Sequence, residues 1–465
     1  MVARSQPTSR ARVAVKHIPA GDASCRVTVS LALLVTAVVL LCAASSAHAV
    51  PGDADWVRPW NAARPGVVYA AKAQTNPGGG VYVAASLLRP SGNVDIAVLR
   101  YSSAGRLAWV KYYDGRAHGL DAMRGLAVNR RGNVIVCGST FTASGKEDWV
   151  VLKYAPDGRR RWKRTLAASF GRADIPEAVA VDAKGNVVVA GSITRRRTGG
   201  DWCVAKYSPG GALLWRTTMT KTVAGFDQAL ALVVDPGDAH IYATGRMFGT
   251  SSGDDVVTVR YRPDGRRVWR RRWDGAKSGP DRAASIALSD GGVAVAGVSA
   301  SPASGDDGLV LKYSRNGTLR WAKVVDGGQG ATGVDRFAAV GIDRRGNVVA
   351  GGSVTTSPAQ GEDLMVVRYR ASGAPGGQWQ LPGAADGEAA LDLRVTLRGR
   401  TYVAGTSGDD AVVAGLSAGL ALLWPALAYD RAAASDLAQS VTLSSGAVYV
   451  AGVSGPDLFV MKVLR

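Results

Sequence analysis

Cysteine and histidine are scarce in this sequence of 465 residues, and their scarcity excludes two classes of protein. Only Cys137 and Cys203 lie beyond the first 49 residues, so the chain is not a small scaffold framed by disulfides. Only His118 and His240 lie there too, which excludes a zinc site built from three histidines. The fold must therefore be stabilised mainly by packing.

Helical periodicity is absent as well, whereas turn-forming and β-forming residues are abundant. The 58 Gly and 12 Trp, with 47% hydrophobic residues, indicate a globular, turn-rich, all-β protein. The net charge is +19, and without the five basic residues and one acidic residue of the first 49 it is still +15. Such a charge favours polyanionic partners, although in an exported protein it also serves solubility.

The first 49 residues have the organisation of an export signal. Basic residues end at Arg26, an uncharged run covers residues 27–44, and Ala47-His48-Ala49 fits a signal-peptidase site. We therefore predict that residues 1–49 are a signal peptide with a basic n-region and that the mature protein is secreted or at the cell surface. Because the uncharged run approaches the ~18 residues that can span a bilayer, an uncleaved membrane anchor is the alternative.

One hairpin pattern recurs eight times. Residues 148–162, DWVVLKYAPDGRRRW, combine a β-rich run, a Pro-Asp-Gly turn and a second run that ends in Trp, which predicts two antiparallel strands. The opening Asp recurs at nearly constant spacing, as Asp95, Asp148, Asp201, Asp255, Asp307, Asp363, Asp410 and Asp457. Each copy follows a second hairpin, of which residues 178–192, AVAVDAKGNVVVAGS, are the clearest.

Four short strands per repeat, apolar on both faces, are typical of a β-propeller blade. We predict a single all-β propeller over residues 50–465 with eight four-stranded blades, seven being the alternative. The chain ends after the eighth third strand, and DWVRPW at residues 55–60 resembles the missing outer strand. Residues 51–63 are therefore expected to supply the outer strand of the last blade and to close the ring.

The pattern DxxVxKYxxxGxxxW, followed by (A/G)xDxxxxAVxxDxxGNVxVAGS, resembles the SBBP type of bacterial β-propeller repeat from about Val67 to the end. More distantly it is similar to the blades of quinoprotein dehydrogenases. The resemblance implies an exported or surface-located propeller. It carries over no site residue and no cofactor, and the name of the repeat type refers to seven blades.

A second series of carboxylates precedes the first strand of the blades, at Asp121, Asp174, Asp227, Asp281, Asp335, Glu388 and Asp436. Converging carboxylates would suit a hard cation such as Ca²⁺. A residue that repeats in every blade, however, more often satisfies local backbone N–H groups. We therefore predict no metal and no other cofactor, with Ca²⁺ as the open alternative.

Basic clusters suggest a polyanionic partner. Protection of exposed sheet edges is the leading interpretation. The alternative is binding of an anionic wall polymer or polysaccharide, for which Arg159, Arg161 and Arg271 are the candidates. No nucleic-acid-binding motif accompanies them, so no specific nucleic acid is expected, and membrane contact is expected only through an uncleaved leader.

The candidates for a ligand site are residues that depart from the repeat. Trp149 and Trp202 replace aliphatic residues and would offer sugar-stacking platforms if exposed, although core filling is the favoured interpretation. His118 and Arg196 lie in loops and complete the set.

The sequence thus favours an exported, non-enzymatic and monomeric propeller that binds a surface polymer or another surface protein. Matches to GxGxxG at residues 328–333 and to GxSxG at residues 415–419 lack the required strand-to-helix context. Four Glu select no catalytic pair, so no catalytic residue is predicted. The alternatives are a secreted lyase, glycoside hydrolase or quinoprotein acting over the channel mouth, and a purely architectural surface module.

Overall fold

Every regular segment that the computed structural model describes is a β-strand, and none is a helix. The structure describes residues 14–18, 52–60, 67–167, 173–220, 225–249, 253–275, 279–301, 305–327, 333–357, 361–381, 387–431 and 435–465. Within these ranges no helical segment is long and apolar enough to cross a membrane.

The strands form eight sheets, called blades 1 to 8 in chain order, in which the four main strands are antiparallel. Two strands precede blade 1: β1 (Ala14–Ile18) and β2 (Ala54–Trp60). Blade 1 consists of β3 (Val67–Thr75), β4 (Val81–Leu88), β5 (Val94–Tyr101) and β6 (Leu107–Tyr113), and blade 2 of β7 (Ala122–Val128), β8 (Val134–Phe141), β9 (Glu147–Tyr154) and β10 (Arg160–Leu166). Blade 3 consists of β11 (Ile175–Val181), β12 (Val187–Arg195), β13 (Gly199–Tyr207) and β14 (Leu213–Met219), with β15 (Gly225–Phe226) beside β13. Blade 4 consists of β16 (Gln228–Val234), β17 (Ile241–Gly249), β18 (Gly253–Tyr261) and β19 (Arg267–Trp273).

The last four blades repeat this order. They consist of β20 (Asp281–Ser289), β21 (Gly292–Ser301), β22 (Gly305–Tyr313) and β23 (Leu319–Val325); β24 (Arg336–Ile342), β25 (Val348–Ser357), β26 (Gly361–Tyr369) and β27 (Pro375–Gln380); β28 (Ala389–Val395), β29 (Thr401–Ser407), β30 (Asp410–Leu416) and β31 (Ala426–Asp430); and β32 (Asp436–Leu443), β33 (Ala447–Ser454) and β34 (Asp457–Leu464). Strand β1, inside the segment predicted to be a leader, pairs with β31 as a fifth strand of blade 7.

The N-terminal strand closes the ring, as the sequence predicts. Strand β2 pairs antiparallel with β34, from Ala54 opposite Val463 to Trp60 opposite Leu458. It therefore supplies the outer strand of blade 8 and joins the two ends of the chain. The predicted flanking positions 51 and 61–63 lie outside the described residues.

Hydrophobic clusters fill all eight interfaces between successive blades. In β12 of blade 3, Val187 and Val189 pack towards blade 2, whereas Val188 and Ala190 pack towards blade 4. Since successive side chains of a strand point to opposite faces, and both faces are covered, the middle strands are apolar without alternation.

In six of the eight blades a Trp of the outer strand connects the blade to the next one. Its indole Nε1 donates a hydrogen bond of 2.9 to 3.1 Å to a backbone carbonyl in the turn between the third and fourth strands of the following blade. The six pairs are Trp56 with Ser103, Trp109 with Pro156, Trp162 with Pro209, Trp215 with Pro263, Trp269 with Arg315, and Trp321 with Ala371.

The inner strands surround a central channel of about 550 Å³. Each inner strand contains a β-bulge at the same position, which bends the strand and re-aims a side chain. The bulged residues are Tyr69, Arg124, Glu177, Leu230, Ala284, Ala338, Leu391 and Gln439 in blades 1 to 8.

The connections lie on two opposite faces because the strands of a blade are antiparallel. We call the side with the first-to-second and third-to-fourth turns the turn face. The side with the second-to-third and interblade connections is the loop face. The bulges lie near the start of the inner strands, at the loop-face mouth of the channel.

Candidate functional site

The turn face is strongly basic. Its fifteen connections contain seven Asp and thirteen Arg or Lys: Arg106, Arg130, Arg131, Arg159, Lys184, Arg262, Arg266, Arg315, Arg344, Arg345, Arg370, Arg398 and Arg400. Three of the Asp are buried and paired with cations, Asp182 with Lys206, Asp235 with Arg315 and Asp343 with Arg368. Because Arg315 is used by Asp235, twelve exposed basic residues remain in these turns against four exposed Asp.

A groove of about 390 Å³ lies on this face between blades 2, 3 and 4. Arg130, Arg131 and Lys184 line it and are exposed. Asp182 and Asp235 also line it, but each is buried and neutralised by its cation. The exposed charge of the groove is therefore positive, which suits an anionic chain.

The predicted basic residues are not brought together in one place. Arg159 lies in a turn of blade 2 and Arg161 follows it in β10, so both belong to a blade that forms the groove. Arg271, on the outer strand of blade 4, donates from Nε to the Gly317 carbonyl at 2.6 Å and so connects blades. Arg196 lies on the loop face, opposite the groove.

The structure corrects the hypothesis that Trp149 and Trp202 are stacking platforms. Both side chains are fully buried in the interfaces of blade 3. Trp149 donates from Nε1 to the Ser192 carbonyl at 2.9 Å, and Trp202 donates to the Tyr261 hydroxyl at 3.1 Å. Because neither ring has an exposed face, both serve as core residues, the alternative that the sequence favoured.

His118 is exposed in the loop between blades 1 and 2, with a φ of 50°. Its Nδ1 lies 2.7 Å from Oδ2 of Asp114 in the same loop, and this carboxylate raises the pKa of His118. The contact is local, and it holds the loop rather than linking His118 to the channel or to the groove.

The Asp before an inner strand accepts backbone hydrogen bonds, in agreement with the expectation that it satisfies local backbone N–H groups. The amide donors are Gly115 to Asp121, Thr194 to Asp174, Phe248 to Asp227, Gly275 to Asp281, Thr355 to Asp335 and Arg431 to Asp436.

Two groups of three carboxylates have oxygens within 4.8 Å of one another, Asp255 with Asp274 and Asp281, and Asp307 with Asp326 and Asp335. In the first group Arg272 already binds Asp255 through Nε at 2.6 Å and Asp274 through Nη2 at 3.0 Å. The second group has the oxygen ligands that Ca²⁺ prefers. The expected absence of a cofactor stays a prediction, to be checked by metal analysis of the purified protein.

The loop-face mouth of the channel contains a second concave site, of about 570 Å³. Its polar lining consists of Lys72, Arg124, Glu177, Gln228, Arg246, Arg282 and Gln439. The bulged residues make this mouth asymmetric, since four successive blades, 8 and 1 to 3, carry Gln439, Tyr69, Arg124 and Glu177. The other four blades carry only Leu or Ala.

Glu177 is the acidic member of this lining. Its Oε1 accepts a hydrogen bond of 2.8 Å from Gln228. Burial raises the pKa of Glu177, although the cations Arg124, Lys72 and Arg246 act in the opposite direction. Sequence analysis missed these residues because their signal, a change of residue type at one bulge position, is visible only once the bulges are aligned.

The comparison with solved structures identifies the architecture. The WD40 domain of Sif2 matches with a TM-score of 0.50 and 9% identity over 89% of this chain and 100% of that one. The chain is an eight-bladed β-propeller. At this identity the likeness shows the fold alone, and comparisons with family models and with curated proteins find no match.

Two further solved structures match with lower TM-scores. The propeller domain of the Trilobed protease from Pyrococcus furiosus has a TM-score of 0.41 and 7% identity over 75% of this chain and 93% of that one. A gluconolactonase from Xanthomonas campestris has a TM-score of 0.33 and 14% identity over 88% and 100%. Neither carries an argument about function.

Proposed function

We infer that this propeller is an exported, non-enzymatic binding module that attaches to an anionic surface polymer through its turn face. The partner is a chain of regularly spaced phosphate or carboxylate groups, such as a wall polymer or an acidic polysaccharide. The SBBP-like repeat pattern supports the extracytoplasmic location and the assignment of the repeats to that type.

The partition of charge carries this proposal. The geometry of the turns on the turn face depends on the Gly and on the first polar residue of each turn. The fold does not require a basic residue at the other turn positions, yet most of the exposed basic residues stand there. Around the groove, Arg130, Arg131 and Lys184 come from two blades, so their arrangement depends on the assembled ring. Edge protection does not require basic residues in first-to-second turns, because these turns are not sheet edges.

The test measures binding to polyphosphate and to polygalacturonate of similar length over a series of salt concentrations. Affinity should fall steeply with salt because binding releases counterions. The variant Arg130→Gln/Arg131→Gln/Lys184→Gln should bind more weakly and show a salt slope smaller by about one for each lost contact.

The matched control removes three exposed charges from the loop face, Arg116→Gln/Arg196→Gln/Arg197→Gln. It lowers the net charge equally and should leave the affinity close to that of the unaltered protein. Equal losses in both variants would reduce the effect to net charge, and the turn-face proposal would be abandoned. Hydrolysis of either polymer would instead establish an enzyme.

A further inference from the structure

The channel mouth on the loop face is separate from the polymer-binding turn face, and its asymmetry points to a ligand. In a ring of eight similar blades, packing alone requires nothing different at one bulge position. The bulged side chains nevertheless divide into a polar arc, Gln439, Tyr69, Arg124 and Glu177, and an apolar arc of Leu and Ala.

Two members of the polar arc, Gln439 and Glu177, are held in place. Gln439 accepts a hydrogen bond from the Ala71 amide at 2.7 Å and donates to the Tyr69 carbonyl at 3.3 Å, which ties blade 8 to blade 1. Glu177 of blade 3 accepts from Gln228 of blade 4 at 2.8 Å. These interblade contacts orient Gln439 and Glu177 before a ligand binds, which reduces the entropy lost on binding.

Three cations at this mouth have free charge. Arg246 is engaged, since its Nη1 lies 2.7 Å from Oδ2 of Asp254. Lys72, Arg124 and Arg282 are exposed within the lining, and among the described residues none of them has a carboxylate within ion-pair distance. With one carboxylate, Glu177, the mouth has a net positive charge.

The shape also fits a small molecule. A concavity of about 570 Å³ lies within the range of about 300–1,000 Å³ that is typical of ligand sites. The apolar arc, which includes Leu230 and Leu391, provides a surface for the non-polar face of a ring or chain.

We propose that the loop-face mouth of the channel binds a small anion that also carries hydroxyl groups, such as a sugar acid or a sugar phosphate. The anionic group is bound by Lys72 and Arg124 of the neighbouring blades 1 and 2, and Arg282 of blade 5 adds positive charge to the mouth. The hydroxyl groups donate to the Glu177 carboxylate, and the carbon skeleton lies against the apolar arc.

Isothermal titration with three sugars of one scaffold tests this proposal: glucuronate, glucose 6-phosphate and neutral glucose. We expect the two anions to bind and glucose to bind at least about tenfold more weakly, since glucose lacks the anionic group and loses the charge-assisted hydrogen bonds to the cations. The ratio of the affinities for glucuronate and glucose 6-phosphate distinguishes a carboxylate ligand from a phosphate ligand.

Arg124→Gln and Lys72→Gln should each weaken binding of the preferred anion by about tenfold or more. Both residues are exposed, and unchanged melting curves would show that the fold is intact. Glu177→Gln removes a negative charge beside Arg124 and Lys72, so inorganic phosphate should bind at least as tightly as before. The hydroxylated anions should lose affinity relative to inorganic phosphate, because only they use the Glu177 carboxylate. The turn-face triple variant is the matched control and should bind the sugar as well as the unaltered protein, which separates this site from the polymer site.

The proposal would be overturned by equal affinity for glucose and the anions, by no binding of either anion, or by unchanged binding by the Arg124 and Lys72 variants.

Discussion

The same lysine position of the repeat is paired with a carboxylate in one blade and lacks that carboxylate in another. Before the repeated Tyr stands a buried basic residue, Lys206 in blade 3 and Lys312 in blade 5. Lys206 forms an ion pair of 3.0 Å with Asp182. At the position of Asp182, blade 5 has Ser289, and the one hydrogen bond of the Lys312 Nζ among the described residues goes to the Gly346 carbonyl at 3.3 Å. Burial consequently lowers the pKa of Lys312 to about 8.

Lys312→Met should stabilise the protein at neutral pH. Since the folded-state pKa of about 8 lies below the ordinary value of 10.5, the unfolded chain binds more protons between these values, and stability rises with pH through this interval. Below pH 8 the buried charged amine lowers the free energy of unfolding by roughly 3 kcal/mol, at about 1.4 kcal/mol per pKa unit. Allowing for the lost hydrogen bond, the free energy of unfolding of the variant at pH 7 should be higher by about 1–2 kcal/mol. The increase of this free energy above pH 8, measured by urea unfolding, should be absent in the variant.

Lys206→Met is the control for this prediction. It leaves the buried Asp182 without its cation and should lower the free energy of unfolding by about 3–5 kcal/mol. Equal effects of the two substitutions would contradict the distinction between a paired and an unpaired lysine.

At the scale of the strand and the hairpin, the turn between the third and fourth strands reverses the chain and also contacts the Trp of the preceding blade. Its Gly has a positive φ, 83° at Gly158 and 89° at Gly211, which Gly adopts without strain. The same Gly lies on the Trp of the preceding blade, because a Cβ on Gly211 would lie 2.9 Å from Cδ2 of Trp162. The sequence shows the first requirement, whereas the second exists only between blades.

Gly211→Ala and Gly145→Ala separate these two requirements. Gly145 also has a positive φ, 76°, but a Cβ there would have no atom within 4 Å. We expect a cost of about 1–2 kcal/mol for Gly145→Ala from backbone strain alone. Gly211→Ala should cost about 1–3 kcal/mol more because of the contact with Trp162. Unfolding in urea measures both values, and similar costs would show that the Trp contact adjusts freely.

For the whole molecule, closure of the ring depends on β2. This strand pairs along its length with β34, and Trp56 donates to the Ser103 carbonyl of blade 1 at 3.1 Å, as the Trp of five other outer strands does with the next blade. Without β2, blade 8 would present the edge of β34 to solvent, and an exposed edge strand promotes association.

A chain that begins at residue 66 should therefore melt at a much lower temperature and aggregate, whereas a chain that begins at residue 51 should melt like the full-length protein. Differential scanning calorimetry and light scattering measure the two outcomes. The second chain also lacks β1, so its behaviour shows that the added strand of blade 7 is not needed for closure. Cooperative melting at the same temperature in the shorter chain would contradict closure by β2.

The sequence by itself determined the fold, because strand period, turn residues and the repeated Asp, Tyr and Trp are local signals that recur in every blade. The closing strand was predictable for the same reason, since its Trp and apolar residues match the outer strands. The tertiary structure decided the sites. Trp149 stands out in the sequence, yet two neighbouring blades cover it, whereas Arg124 and Glu177 look ordinary until the bulges place them in the channel. Local propensity fixes each hairpin, but only the closed ring determines which residues are buried between blades and which converge at a channel mouth or share a face.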